Sequence, residues 1–139
     1  KAVNDQLGHA AGDQLLCDVA TTLSESVRSS DHIVRLAGDE FVVVLEGLIT
    51  VTMAESIARK INDKLHQAWQ QHGGPRALVN ASIGISIYPD DAGDAESLLL
   101  HADRAMYAAK ARGRAGYFRY RSDADDLPLA KAGNDTPAT

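Results

Sequence analysis

Two short apolar runs, His32–Leu36 and Phe41–Leu45, flank the turn sequence Ala37-Gly38-Asp39-Glu40. Glycine accepts the positive φ that tight turns need, and a Gly-Asp pair between β-rich runs is a hairpin signal. The chain is therefore expected to fold around a β-hairpin that carries two adjacent carboxylates at its tip. Val42, Val43, Val44 and Leu45 form a continuous apolar run, as expected of a strand covered on both faces.

Around this hairpin the hydrophobic period is helical. The first dozen residues, polar and carrying Gly8 and Gly12, read as a loop. From Asp13 a helix is predicted, with Leu15, Leu16, Val19, Ala20, Leu23 and Val27 on one face and Ser29-Ser30-Asp31 ending it. A second helix is marked by Thr52 and Glu55 at capping-box spacing. It carries Met53, Ile57, Ile61, Leu65, Ala68 and Trp69 and stops at Gly73-Gly74-Pro75. Residues Ala77–Tyr88 alternate as a strand, with Val79, Ala81, Ile83, Ile85 and Ile87 on one side. Pro89–Gly93 is a turn. Asp94 is placed to cap a third helix bearing Leu98, Leu99, Ala102, Ala105, Met106 and Ala109, with Gly113 as its stop. Tyr117–Arg121 reads as a last short strand, and residues 122–139 as a polar, disordered tail. The order helix, strand, strand, helix, strand, helix, strand predicts an α+β fold, a two-layer sandwich with helices covering a mainly antiparallel sheet.

The 139 residues suit one domain, here residues 1–121, and a 45% apolar fraction is ordinary for a soluble fold. Cys17, the single cysteine, excludes an internal disulfide, and its helical setting predicts a small buried core residue. A net charge of −5 argues against broad binding to nucleic acid. No apolar run approaches the roughly 20 residues that span a bilayer, so no membrane contact is expected. The chain opens at Lys1 without Met and reads as a piece of a longer protein.

Three segments carry candidate chemistry. Asp39 and Glu40 offer oxygen ligands suited to Mg²⁺, although acids at a turn also serve solubility alone. In the opening loop, Asn4 and Asp13 suit the edge of a base, although the same residues make ordinary turns and caps. After the third helix, Lys110 and Arg114 suit a triphosphate, although basic residues there also complement the helix dipole. His9, His32, His66, His72 and His101 lack zinc-ligand spacing. No nucleophile-elbow motif supports a serine hydrolase.

Four stretches then fall in a recognisable order. They are Lys1-x-x-Asn4-Asp5-x-x-Gly8-His9-x-x-Gly12-Asp13-x-Leu15-Leu16, Arg35-Leu36-Ala37-Gly38-Asp39-Glu40-Phe41, Ser82-Ile83-Gly84-Ile85, and Ala102-Asp103-Arg104-Ala105-Met106-Tyr107-x-x-Lys110-x-x-Gly113-Arg114. Together they resemble the GGDEF family of diguanylate cyclases, with Ala37 in the first glycine position. The resemblance implies a ferredoxin-like, nucleotidyl-cyclase-like core whose first strand, with a further metal-binding Asp, precedes Lys1. It implies that two domains meet as a homodimer and condense two GTP into cyclic di-GMP, releasing pyrophosphate, with Mg²⁺ or Mn²⁺. By position, Asn4, His9 and Asp13 match guanine-nucleotide contacts, and Lys1, Lys110 and Arg114 match phosphate contacts. Asp39 and Glu40 match the metal and catalytic acids, and Arg35 an arginine whose role stays open. Arg28-Ser29-Ser30-Asp31 resembles the family's RxxD motif, where Arg28 and Asp31 would bind the product as an inhibitor. A cytoplasmic location is implied, with a parent protein open to membrane anchoring. The rival expectation is a catalytically impaired domain that binds GTP or cyclic di-GMP as a receptor, with Ala37 as the impairment. Without the first strand, the 139-residue chain alone is expected to be inactive, while the parent protein is expected to be active.

Overall fold

The computed structural model of the chain describes residues 9–47, 50–71, 81–112 and 116–121. Its elements are α1 (His9–Ser26), β1 (His32–Ala37), β2 (Glu40–Val44), α2 (Val51–Gln71), β3 (Ser82–Ile85), α3 (Ala95–Ala111) and β4 (Gly116–Arg119). Class and order are those the hydrophobic periods predict. The chain divides into two compact units, Lys1–Ala81 and Ser82–Thr139.

In the first unit α1 packs against α2. The helix already runs from His9, not from Asp13, because Ala10 and Ala11 are strong helix formers and a single glycine, Gly12, costs only about 1 kcal/mol. Asp13 is thus an interior helical residue and not a cap. The buried stripe of α1 contains Gly12, Thr22, Leu23 and Ser26. Ser26 Oγ donates to the Thr22 carbonyl at 2.6 Å, which satisfies a hydroxyl that would otherwise be costly to bury. Cys17 lies roughly 120–180° round the axis from that stripe and is exposed, contrary to the expectation of a core residue.

Helix α2 is capped by Thr50, not by Thr52. Thr50 Oγ1 accepts the Met53 N–H at 3.3 Å, and Thr52 already lies within the first turn. Its buried seam is Ala54, Ala58, Ile61, Leu65 and Trp69, and Met53 is exposed. Relative to the predicted face the helix is rotated toward its alanines, whose small side chains let another helix approach closely. Across the same pair, Lys64 Nζ lies 3.8 Å from Glu25 Oε2 at the surface, which is worth at most about 1 kcal/mol.

The hairpin β1–β2 is antiparallel, pairing His32 with Val44, Val34 with Val42 and Ala37 with Glu40, with a register shift between Arg35 and Ala37. Among the described residues this sheet has two strands. Val44 is exposed and Phe41 to Val43 are half-buried, so the apolar run of β2 is not enclosed on both faces as expected.

In the second unit β3 and β4 are parallel, with Ser82 opposite Gly116 and Ile85 opposite Arg119. Parallel neighbours need a crossover, and α3 supplies it, lying against both strands. The approach is close at Gly84, where a Cβ would run into the Ala102 carbonyl and the Met106 amide of α3. Ala105, Ala108 and Ala109 are buried on the same helix. Asp94 caps α3 as predicted, its Oδ1 accepting the Ser97 N–H at 2.8 Å. The hydrogen bonds from the Ser97 amide and hydroxyl, and then the nearby His101, hold the Asp94 carboxyl below its ordinary 3.8 despite the opposing effect of desolvation. Before the helix, Asp91 Oδ2 accepts the Ile87 N–H at 2.7 Å. His101 Nδ1 meets the Asp91 carbonyl at 2.9 Å while its ring stacks on Tyr120 at 4.0 Å. At the far end of α3 the described cap is Arg112, whose N–H reaches the carbonyls of Ala108 and Ala109 at 3.2 and 3.3 Å. Gly73-Gly74-Pro75, the start of the predicted Ala77–Tyr88 strand, Gly113 and the 122–139 tail lie outside the described residues.

Candidate functional site

The tip of the hairpin is built by three local devices. The register shift places Ala37 opposite Glu40. Gly38 takes φ +48°, the left-handed conformation that the turn sequence predicts for glycine. Arg35 Nε donates to the Gly38 carbonyl at 2.8 Å. Ala37 is itself an extended strand residue, so its methyl group does not fall on the left-handed position; Gly38 does. Asp39 and Glu40 follow, both exposed, and among the described residues neither carboxylate has a hydrogen-bond or ion-pair partner.

That donor set fits a hard divalent cation. Among the described residues no group of three or more His, Cys, Asp and Glu side chains gathers to hold a metal on its own. Magnesium, however, is commonly held by one or two carboxylates, with water and substrate phosphate oxygens completing its shell. Two unpaired carboxylates beside an open turn suit a cation of that kind, or Mn²⁺, entering with a nucleotide.

The base of the hairpin is a closed network. Asp31 Oδ2 accepts the Arg28 N–H at 2.8 Å, and Asp31 Oδ1 accepts the Glu46 N–H at 3.1 Å. Arg28 Nη2 donates to the Glu46 carbonyl at 2.6 Å, and Arg28 Nε lies 3.6 Å from Asp31 Oδ2. The Asp31 side chain is 1% exposed while that of Arg28 is 55% exposed. The Arg28 amide foremost, and then the Glu46 amide and the guanidinium, pull the Asp31 carboxyl below its ordinary 3.8 against the opposing effect of desolvation. His32 Nε2 meets Glu46 Oε1 at 3.0 Å on the outside of the same knot. Sequence reasoning finds Arg28 and Asp31 but misses Glu46, whose part is played by its backbone, and a backbone contact leaves no mark in residue type.

The remaining candidates are distributed as follows. Asp13 is exposed on α1. His9 opens α1, and its side chain lies outside the described residues, as do Lys1, Asn4 and Arg114. Lys110 sits exposed in the last turn of α3 with its ammonium 5.9 Å from the Tyr107 ring centroid. The structure brings Asp39 to Glu40 and Arg28 to Asp31. The hairpin acids belong to the first unit and Lys110 to the second.

The family model described as diguanylate cyclase, GGDEF domain, matches residues 1–116. This chain belongs to the GGDEF family. MucR of Pseudomonas aeruginosa, a bifunctional diguanylate cyclase/cyclic di-GMP phosphodiesterase, is 42% identical over 124 residues, which are 88% of this chain and 18% of MucR. The diguanylate cyclase TpbB of Pseudomonas aeruginosa is 40% identical over 114 residues, 82% of this chain and 26% of TpbB. The solved GGDEF domain of TpbB superimposes with a TM-score of 0.73 at 36% identity, covering 86% of this chain and 70% of that one. The α+β, nucleotidyl-cyclase-like expectation is thereby borne out. The chain spans about a fifth to a quarter of the length of these two curated relatives. No helix among the described residues is long and apolar enough to cross a membrane.

Proposed function

We propose that this GGDEF domain makes cyclic di-GMP from two molecules of GTP, releasing pyrophosphate, within the protein that carries it. The observation that supports this most is the exposed Asp39–Glu40 pair, without partners among the described residues, on a tip whose Gly38 takes the left-handed conformation of a tight turn. Asp39 and Glu40 would hold Mg²⁺ or Mn²⁺ against the triphosphate, and the bound cation supplies neutralisation of phosphate charge. Lys110, with Lys1 and Arg114, binds the phosphates, Lys as a point charge and Arg as a fork. Asn4, His9 and Asp13 bind the guanine nucleotide. Two copies meet as an antiparallel homodimer, so the 3′-hydroxyl of one GTP attacks the α-phosphate of the other. The setting is cytoplasmic, on the side where GTP is made.

The RxxD turn is the proposed product-inhibition site. The half-exposed Arg28 guanidinium suits a phosphate of cyclic di-GMP. Asp31 can read a guanine edge only after its carboxylate is uncovered, because its side chain is 1% exposed.

The test is production of cyclic di-GMP from GTP and Mg²⁺, measured beside GTP and cyclic di-GMP binding. Product from the protein that carries the domain supports the cyclase. Tight binding without product in that protein replaces it with a receptor, the reading that Ala37 favours only if its methyl group blocks turnover. Neither binding nor product sinks both. Residues 1–139 by themselves are expected to bind nucleotide without turnover, since the resemblance assigns a further metal-binding Asp ahead of Lys1.

A further inference from the structure

Arg35 is the one residue of the tip segment whose part the proposed chemistry leaves unassigned. It lies on β1 just before the register shift, and its Nε donates to the Gly38 carbonyl at 2.8 Å. That carbonyl is part of the planar Gly38–Asp39 peptide, so the bond fixes the plane from which the Asp39 N–H, Cα and side chain project. The bond also restrains Gly38 at φ +48°, where glycine would otherwise exchange among many conformations. Its backbone pairs with Phe41 across the hairpin, and among the described residues its side chain makes no other hydrogen bond or ion pair. Both tip carboxylates lack partners among the described residues, and beside the strand pairing of Ala37 with Glu40 the Arg35 bond is the side-chain contact that restrains the turn.

We propose that Arg35 is a positioning residue: through a single hydrogen bond from Nε to the Gly38 carbonyl, it sets the geometry in which Asp39 and Glu40 are presented to a divalent cation. This rests on the metal-binding reading above and deepens it. Charge is not what the role requires; a donor at the δ-carbon is. The role therefore differs from that of a phosphate-binding arginine, which works through its charge and its Nη groups.

Glutamine separates the two, because its Nε2 occupies the same bonded position as arginine Nε yet carries no charge. Methionine keeps the length and removes the donor. Three forms of the chain, wild type, Arg35→Gln and Arg35→Met, are compared without metal by hydrogen exchange at the amides of residues 38–40. They are then titrated with Mn²⁺, reading free Mn²⁺ by electron paramagnetic resonance. Arg35→Met should speed exchange at the tip and weaken Mn²⁺ binding, each by about fivefold, the worth of one hydrogen bond. Arg35→Gln should restore both to within about twofold of wild type.

Equal losses in both variants overturn the proposal in favour of a charge role, and unchanged exchange in Arg35→Met overturns it outright. Should wild type bind no Mn²⁺, the metal reading fails, and the exchange comparison still decides whether Arg35 holds the tip. Arg35 is exposed, so neither variant empties a core.

Discussion

The two ends of one hairpin use the same functional group in opposite ways. At its base the Asp31 carboxylate is covered and accepts the amides of Arg28 and Glu46, and its pKa is held below the ordinary value. At its tip Asp39 and Glu40 are exposed and lack partners among the described residues. An acid that is covered and accepts backbone N–H groups contributes to stability and is withheld from a ligand. An acid left unpaired contributes little to stability and stays available for a cation. The difference teaches that motif membership does not separate these tasks, whereas hydrogen-bond accounting does.

The contrast breaks most readily at the tip. Asp39→Asn should lower cyclic di-GMP synthesis by the protein that carries this domain on the order of 10³-fold, because a charge aimed at the metal–phosphate assembly is removed. Its thermal midpoint should stay within about 1 °C of wild type, since no folded-state partner is lost. A large drop in melting temperature would mean that Asp39 is structural after all. Asp31→Ala should do the reverse, lowering the midpoint by about 5 °C or more through two stranded amides, with a smaller loss of synthesis than Asp39→Asn.

Acid titration sharpens the difference. A carboxyl with a folded-state value below 3.8 binds fewer protons folded than unfolded. Its stabilisation is thus complete above 3.8 and is lost as pH falls through the lower folded value. Asp94 adds a contribution of the same sign in the second unit. Urea midpoints followed from pH 6 downward should fall more gently for Asp31→Asn than for wild type, and parallel curves would deny the network its hold on an ionised carboxylate. The smallest effect belongs to Glu46→Ala. Its amide and carbonyl, which hold Asp31 and Arg28, survive the change, and only the exposed pairing with His32 goes. A loss of about 2 °C or less is expected in a thermal melt.

Much of this was legible in the residues. Gly38 and the flanking apolar runs announce the hairpin, because a two-residue change of period with a glycine between has few other solutions. Asp94 is readable as a cap for a similar reason, since a short acceptor just ahead of an amphipathic run has one obvious partner. The start of α2 was misplaced because Thr50 and Thr52 are chemically identical, and only the backbone shows which hydroxyl meets a free amide. The burial of Ala54 and Ala58 ahead of Met53 follows from how closely two helices approach, which no single helix encodes. The closure of Asp31 was invisible because its second donor is an amide in residue 46, 15 positions along the chain. The candidates Lys1, Asn4 and Arg114 rest on motif position alone.

Gly84 carries a last consequence, for what kinds of change the second unit can absorb. The obstacle facing a side chain there is main chain, the carbonyl of Ala102 and the amide of Met106, and not a neighbouring residue that could be trimmed. A crowded side chain can be rescued by shortening its neighbour; a crowded peptide cannot. A larger residue at position 84 should therefore have no second-site suppressor on the facing helix, and only a shift of the whole helix away from the strands would make room.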